Sequence, residues 1–243
     1  MAVNKVEVCL LPELVRPEMV TGKVVVVIDV FRASSAIITG LAHSVDHFLA
    51  VTDPLEAKKY QHQGYLAAGE RGGEQLPGFD LGNSPFDYAP EKVKGKRVVI
   101  TTSNGTRAIA AAQGARAIFT ASFLNISAML NYLNQQDEDV LLLCSGWHGA
   151  LSMEDTVFAG ALLEGMEGFS GDSDECFLAE YIHNKHQDHL LDFMKQGAHA
   201  QRLIKLGFEE DVAFCLQKDK YDFLAEIIDF RIKKVESKVL KKS

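Results

Sequence analysis

Three groups of carboxylate, hydroxyl and guanidinium residues in this sequence each follow directly on an apolar run. Asp29, Arg32, Ser34 and Ser35 come after Val24-Val25-Val26-Val27-Ile28. Thr101 through Asn104, Gly105, Thr106 and Arg107 follow Val98-Val99-Ile100, and Ser145, then Glu154 and Asp155, follow Val140 to Leu143. Between the first two groups lie Glu70, Glu74 and Asp80. Carboxylates are hard oxygen donors suited to Mg²⁺, which takes one or two of them and keeps waters for its other positions. Guanidinium forks and helix-opening N–H groups can hold phosphate oxygens. Together these are the parts needed for metal-assisted phosphoryl transfer, with a water as one candidate nucleophile.

Other phosphate chemistries lack their residues. The chain has no G-x-x-x-x-G-K-[ST] or G-x-G-x-x-G loop, and no cysteine is followed six positions on by arginine. Asp29-Val30-Phe31-Arg32-Ala33 also lacks the second aspartate, two positions on, that a haloacid-dehalogenase-like phosphatase would need. His183, His186 and His189 resemble a metal cluster, but three-residue steps on a helix set the outer pair ~120° apart, so a solvated face is the expectation. Cys9, Cys144, Cys176 and Cys215 are widely spaced and read as buried free thiols.

The 243 residues suffice for one α/β domain with a sizeable core, and a 47% hydrophobic, 24% charged composition is ordinary for a globular chain. A net charge of −8 argues against a nucleic-acid surface or an anionic membrane as partner, because both need a basic footprint. The Lys-rich end, Lys238 to Lys242, reads as a solvated tail. No leader pattern or membrane span is legible, so a cytoplasmic location is expected, with a small anionic substrate as partner. Homo-oligomerisation is left open.

These residues need elements to position them. Val24 to Ile28 is a continuous β-branched run, the pattern of a strand covered on both faces in a parallel sheet. A helical stretch, Ala36 to Ala42, and a strand near His47 to Val51 follow. The same order recurs from Gly95: a strand, a polar loop, an Ala-rich stretch from Ala108 to Ala112, and a strand from Ala117 to Thr120, which suggests a repeated βαβ unit. Tyr65 to Ala68 reads as a short strand, and Gly69 to Pro85 as a long ordered loop. Ser152 to Met166 reads as a helix. Helical patterns are expected at Glu175 to Gln196, His199 to Leu206, Glu209 to Gln217 and Phe223 to Val235. The fold class is therefore α/β, a mostly parallel or mixed sheet flanked by helices, in a single domain over 1–243 whose part from 171 on is mainly helical. In a parallel sheet the polar loops would share the edge outside the strands' carboxyl ends, where open α/β folds bind ligands.

Each of these residues has a plainer reading as well. Asp29 could cap the turn after its strand, but a buried strand aims it at the ligand-binding edge, and the functional reading is preferred. Ser152-Met153-Glu154-Asp155 has the form of a capping box, which leaves function and capping equally open for Glu154 and Asp155. Arg32 and Arg107 hold similar places in the two units and are expected to grip anionic groups. Asn104-Gly105-Thr106 opens a helix whose N–H groups could hold an anion, while Thr106 could serve simply as the N-cap. Asp53-Pro54-Leu55-Glu56 is a plain helix start.

Four motifs in this order resemble the 2-phosphosulfolactate phosphatases, the ComB family: Asp29-Val30-Phe31-Arg32-Ala33-Ser34-Ser35, Gly69-Glu70-Arg71-Gly72-Gly73 through Asn83-Ser84-Pro85, Thr101 to Thr106, and Cys144-Ser145-Gly146 with Ser152 to Asp155. The resemblance runs from about Val24 to Met166 and more weakly through Leu206 to Val212. It implies an α/β fold of the family's own type and a Mg²⁺-dependent hydrolysis of (2R)-phosphosulfolactate to sulfolactate and phosphate, a step toward coenzyme M. On the residues' own chemistry and placement, Asp29, Arg32, Asn104 and Glu154 are expected in catalysis. Ser34, Ser35, Arg71, Asn83, Ser84, Gly105, Thr106, Arg107 and Ser145 fall to the substrate, and Asp29, Glu70, Asp80 and Asp155 to the metal. Phe31, Ser34, Ser35 and Ser103 depart mildly from the family pattern. The loop Trp147-His148-Gly149-Ala150-Leu151 is particular to this chain and is expected to bear on which acid is accepted. Water or Asp29 as nucleophile, another phosphorylated carboxylic acid as substrate, and a noncatalytic anion-binding protein are the alternatives.

Overall fold

The computed structural model describes residues 4–236; Lys238 to Lys242 lie outside them. The described strands are, in chain order, β1 (Asn4–Cys9), β2 (Val24–Ile28), β3 (His47–Ala50), β4 (Leu66–Arg71), β5 (Glu74–Gln75), β6 (Arg97–Thr101), β7 (Ala117–Ala121), β8 (Val140–Cys144), β9 (Phe169–Ser170), β10 (Leu224–Ile228) and β11 (Arg231–Val235). They form one mixed sheet in the order β5-β4-β6-β3-β11-β10-β7-β2-β8-β1-β9. β2 is wholly buried and pairs in parallel with β7 on one side and β8 on the other. Its alternating side chains enter two separate apolar clusters, Val24, Val26 and Ile28 in one and Val25 and Val27 in the other, as the two-residue period of a strand dictates.

The expected helix from Phe223 to Val235 is instead an antiparallel hairpin, β10 and β11, in the middle of the sheet between β7 and β3. Ile227, Ile228, Ile232 and Val235 are β-branched and suit a pleated surface. Asp229 and Phe230 turn the chain with φ of 47° and 64°, the positive values that a two-residue hairpin turn requires. With no glycine in that turn, the punctuation that normally announces a hairpin is missing.

The β2–helix–β3 and β6–helix–β7 units do recur, but neither closes on itself. The first strand of each pairs in parallel with the second strand of the other: Val24 to Ile28 runs beside Ala117 to Ala121, and His47 to Ala50 beside Arg97 to Ile100. With the hairpin between them, the two parallel sets run in opposite senses across the sheet. The single parallel edge expected from the sequence is thus replaced by two. The polar loops still meet, because the helices Ala33–Ala42 and Gly105–Ala111 abut at their N-terminal ends. A Cβ on Gly105 would stand 3.0 Å from Ala33 Cβ and 2.7 Å from Asp29 Oδ2, so this approach requires glycine.

The long loop after Gly69 begins as a tight hairpin, since β4 extends to Arg71 and returns as β5 through Gly72 and Gly73, both at positive φ. Beyond Met153–Gly165 the chain forms helices Asp174–His186, Leu190–Met194, Ala198–Lys205 and Glu209–Cys215. The long helix expected over Glu175 to Gln196 is interrupted by a single turn of 3₁₀ helix, Gln187–His189. All four cysteines are buried and free. No helix among the described residues is long and apolar enough to cross a membrane.

Candidate active site

Asp29 stands just beyond the end of β2, buried, in a cleft whose walls include Glu70, Asn83, Asn104, Trp147, His199 and Arg202. Its Oδ1 accepts the Ala33 N–H at 3.2 Å, and its own N–H donates to Ser34 Oγ at 3.0 Å. Ser34 Oγ is also 2.7 Å from Thr120 Oγ1, and Ser35 donates to the Val30 carbonyl at 2.9 Å. These two serines therefore hold the turn that carries Asp29. Burial pushes the Asp29 carboxyl up to about 6; the Ala33 N–H and His199 oppose the shift, and the charges of Glu70 and Glu154 add to it.

Glu70 ties two loops together, accepting the Ser103 N–H at 2.8 Å through Oε1 and the Gly73 N–H at 2.9 Å through Oε2. Arg71 folds back on the Glu70 carbonyl at 2.6 Å. The Asp155 side chain, expected on a metal or in a capping box, does not close the box back onto the Ser152 N–H. Ser152 caps its helix by accepting the Asp155 N–H at 3.4 Å. The Asp155 carboxylate takes the Val30 N–H at 2.9 Å and the Gly146 N–H at 3.2 Å, joining the loops after β2 and β8.

Both arginines expected to grip anions are engaged by carboxylates. Arg32 donates to Asp211 Oδ2 at 2.5 Å and to the Gly73 carbonyl at 2.6 Å, with its guanidinium 4.2 Å above the Phe208 ring. Ser84 Oγ completes this buried knot at 3.0 Å from Asp211 Oδ1. Arg107 is exposed and ion-paired with Glu13, away from the cleft. Thr106 is turned inward, its N–H and hydroxyl both bonded to Thr102. Asn104 remains at the cleft.

Asp80 is exposed and accepts from the Ala67 N–H and Gln61 Nε2, each at 2.8 Å, and does not line the cleft. Among the described residues no three His, Cys, Asp or Glu side chains converge closely enough to enclose an ion. Asp29 and Asn83, whose buried Oδ1 has no hydrogen-bond partner, are among the oxygen donors in the cleft with spare capacity. That donor set fits a cation that keeps waters, as Mg²⁺ does, and does not fit an all-protein cage.

The family model of 2-phosphosulpholactate phosphatase matches residues 9–229 of this chain. The chain belongs to that family. A probable 2-phosphosulfolactate phosphatase from Caldanaerobacter subterraneus subsp. tengcongensis is 38% identical over 211 residues, covering 84% of this chain and 88% of that protein. One from Thermotoga petrophila is 40% identical over 204 residues, covering 84% and 88%, and one from Synechocystis sp. is 40% identical over 223 residues, covering 88% and 92%. This family member is accordingly an enzyme, a phosphoric monoester hydrolase.

Within the phosphatase, the cleft brings together the expected Asp29, Arg32, Glu70, Asn83, Asn104 and the edge of Gly105, and leaves Asp80 and Arg107 outside. Ser145 lies buried behind it with its hydroxyl unpartnered. Glu154 reaches the site through His199, whose Nδ1 is 2.6 Å from Glu154 Oε1. His199, Arg202 and Leu203, from the helix Ala198–Lys205, have no counterpart among the residues expected from sequence, while Trp147 and His148, from the loop after β8 expected to bear on which acid is accepted, do line the cleft. A lone histidine and arginine on a short amphipathic helix carry no spacing signal. Of the histidines weighed as a metal cluster, His183 is buried against Glu164, while His186 and His189 pair at the surface.

Proposed function

We propose that this phosphatase hydrolyses (2R)-2-phospho-3-sulfolactate to 3-sulfolactate and phosphate with Mg²⁺ as cofactor. The observation that carries the reading is Asp29, a carboxyl buried beside Glu70 and Glu154 at the floor of the cleft and pushed up to about 6 by that setting. Like charges so placed call for a cation. Asp29 and the Asn83 Oδ1 would hold Mg²⁺, which when bound supplies Lewis-acid polarisation of the phosphate oxygens. Asn104 and Ser103 line the cleft where those oxygens would sit. Arg202, whose guanidinium donates to the Gly72 carbonyl at 3.3 Å and is not ion-paired among the described residues, neutralises the substrate's second acid group. Asp29 either takes the proton of an attacking water or attacks phosphorus itself. Hydrolysis of a substrate made chiral at phosphorus separates these routes, since direct attack by water inverts the configuration and two displacements through a covalent intermediate on Asp29 retain it.

A second reading, another small phosphorylated carboxylic acid as substrate, is favoured by one observation: Trp147 and His148, in the loop particular to this chain, form part of the cleft wall. Phosphate release from 2-phospho-3-sulfolactate and from phospholactate, with Mg²⁺ and with chelator, tests both. Preference for the sulfonate, lost on chelation and restored by Mg²⁺, supports the first reading. Preference for the carboxylate supports the second, and release indifferent to chelator removes the metal from both.

A further inference from the structure

We infer that His199 is the catalytic residue that donates a proton to the leaving oxygen of the substrate, and that Glu154 is the residue that positions it. The inference rests on the phosphomonoester reading above and adds a role which that reading leaves open.

The His199 ring is held from three sides. Glu154 Oε1 lies 2.6 Å from Nδ1, and the two side chains are 4% and 13% exposed. Trp147 stacks on the ring, with centroids 4.9 Å apart and planes 16° from parallel, and Phe31 meets it edge-on at 6.1 Å. A carboxylate on Nδ1 fixes the tautomer and orientation of an imidazole and leaves Nε2 as the working nitrogen. Among the described residues Nε2 has no protein partner, and the ring lines the cleft alongside Asp29.

The chemistry needs such a donor. The ester oxygen of a phosphorylated hydroxy acid departs as a secondary alkoxide, a poor leaving group unless protonated as its bond to phosphorus breaks. In the step assigned here, water adds to phosphorus while the P–O ester bond breaks. The bond electrons leave on the ester oxygen, which takes the Nε2 proton and departs as the alcohol. The attacking water gives up a proton to the Asp29 carboxylate, which passes it to solvent, and neutral His199 recovers one from solvent.

The test uses His199→Gln and Glu154→Gln in the full-length enzyme, on the alkyl phosphomonoester that the wild type turns over. Steady-state kinetics are combined with the ¹⁸O isotope effect at the bridging oxygen. For His199→Gln, kcat is expected to fall ~10²–10⁴-fold with KM within about threefold of wild type. The bridging-oxygen isotope effect is expected to grow, because the bond now breaks without protonation; Glu154→Gln shifts both in the same direction by less. A kcat within about tenfold of wild type, or a fall with an unchanged isotope effect, overturns the inference. If His199→Gln does not fold, Glu154→Gln, which keeps the side-chain volume, carries the same isotope measurement. If the wild type accepts a different phosphorylated hydroxy acid, the substrate reading fails while His199 is still tested on the ester accepted.

Discussion

Asp155 reaches from the first turn of its helix to accept the Val30 N–H at 2.9 Å, one residue beyond Asp29, and the Gly146 N–H at 3.2 Å. One carboxylate thereby fixes two loops. Asp155→Ala strands both buried donors at about 1–3 kcal/mol each, so the urea midpoint is expected to fall sharply and kcat to fall with it. Asp155→Asn, which keeps one acceptor, falls less. An unchanged midpoint for Asp155→Ala would mean that these two hydrogen bonds do not hold the loops.

The Arg32–Asp211 pair carries a parallel expectation. Removing one partner of a buried ion pair costs about 3–5 kcal/mol, so Arg32→Met and Asp211→Asn each destabilise. The double variant should lose much less than the sum, as urea unfolding of the four proteins will measure. If Arg32→Met instead unfolds like wild type and only raises KM, Arg32 is a substrate clamp after all.

How much of this was legible in the sequence follows from the physics of particular residues. Val24 to Ile28 announces a buried parallel strand, and the polar residues after it announce the site, because strand periodicity is local. Arg32 and Asp211 stand 179 positions apart, and nothing local distinguishes an arginine that will bind substrate from one that will bind a distant aspartate. His199 is invisible for the same reason: its role comes from Glu154, 45 residues earlier. The hairpin at Asp229 and Phe230 was read as helix because its turn lacks glycine and its strands are dotted with lysine and glutamate.

Gly105 predicts a sharp steric effect. A methyl group there would stand 2.7 Å from Asp29 Oδ2, so Gly105→Ala must move the carboxylate or the helix. Overpacking of this kind costs about 1–3 kcal/mol. A displacement near 1 Å at a reacting group costs ~10²-fold in rate. Kinetics of Gly105→Ala beside its thermal melt should show the larger effect in kcat/KM. Wild-type kcat/KM would mean that Asp29 need not stand where it does.

Asp29 also links the site to stability. Its carboxyl rises from 3.8 to about 6 on folding, so between about pH 4 and 6 the folded state binds the extra proton and this group's contribution to stability falls as pH rises. Without added metal, Asp29→Asn should be more stable than wild type above pH 6, by at most about 3 kcal/mol, with the gap closing below pH 4. Urea unfolding at pH 4 and pH 8 measures it; a gap of the opposite sign at pH 8 removes the burial argument.

The most direct test of a phosphatase centred on Asp29 is phosphate release from 2-phospho-3-sulfolactate by wild type and Asp29→Asn, each with Mg²⁺ present and each shown to be folded by its thermal melt. The expected result is turnover by the wild type and a loss of at least ~10³-fold in kcat for the variant. Turnover by a folded Asp29→Asn within about tenfold of wild type would contradict the account and move the chemistry elsewhere in the chain.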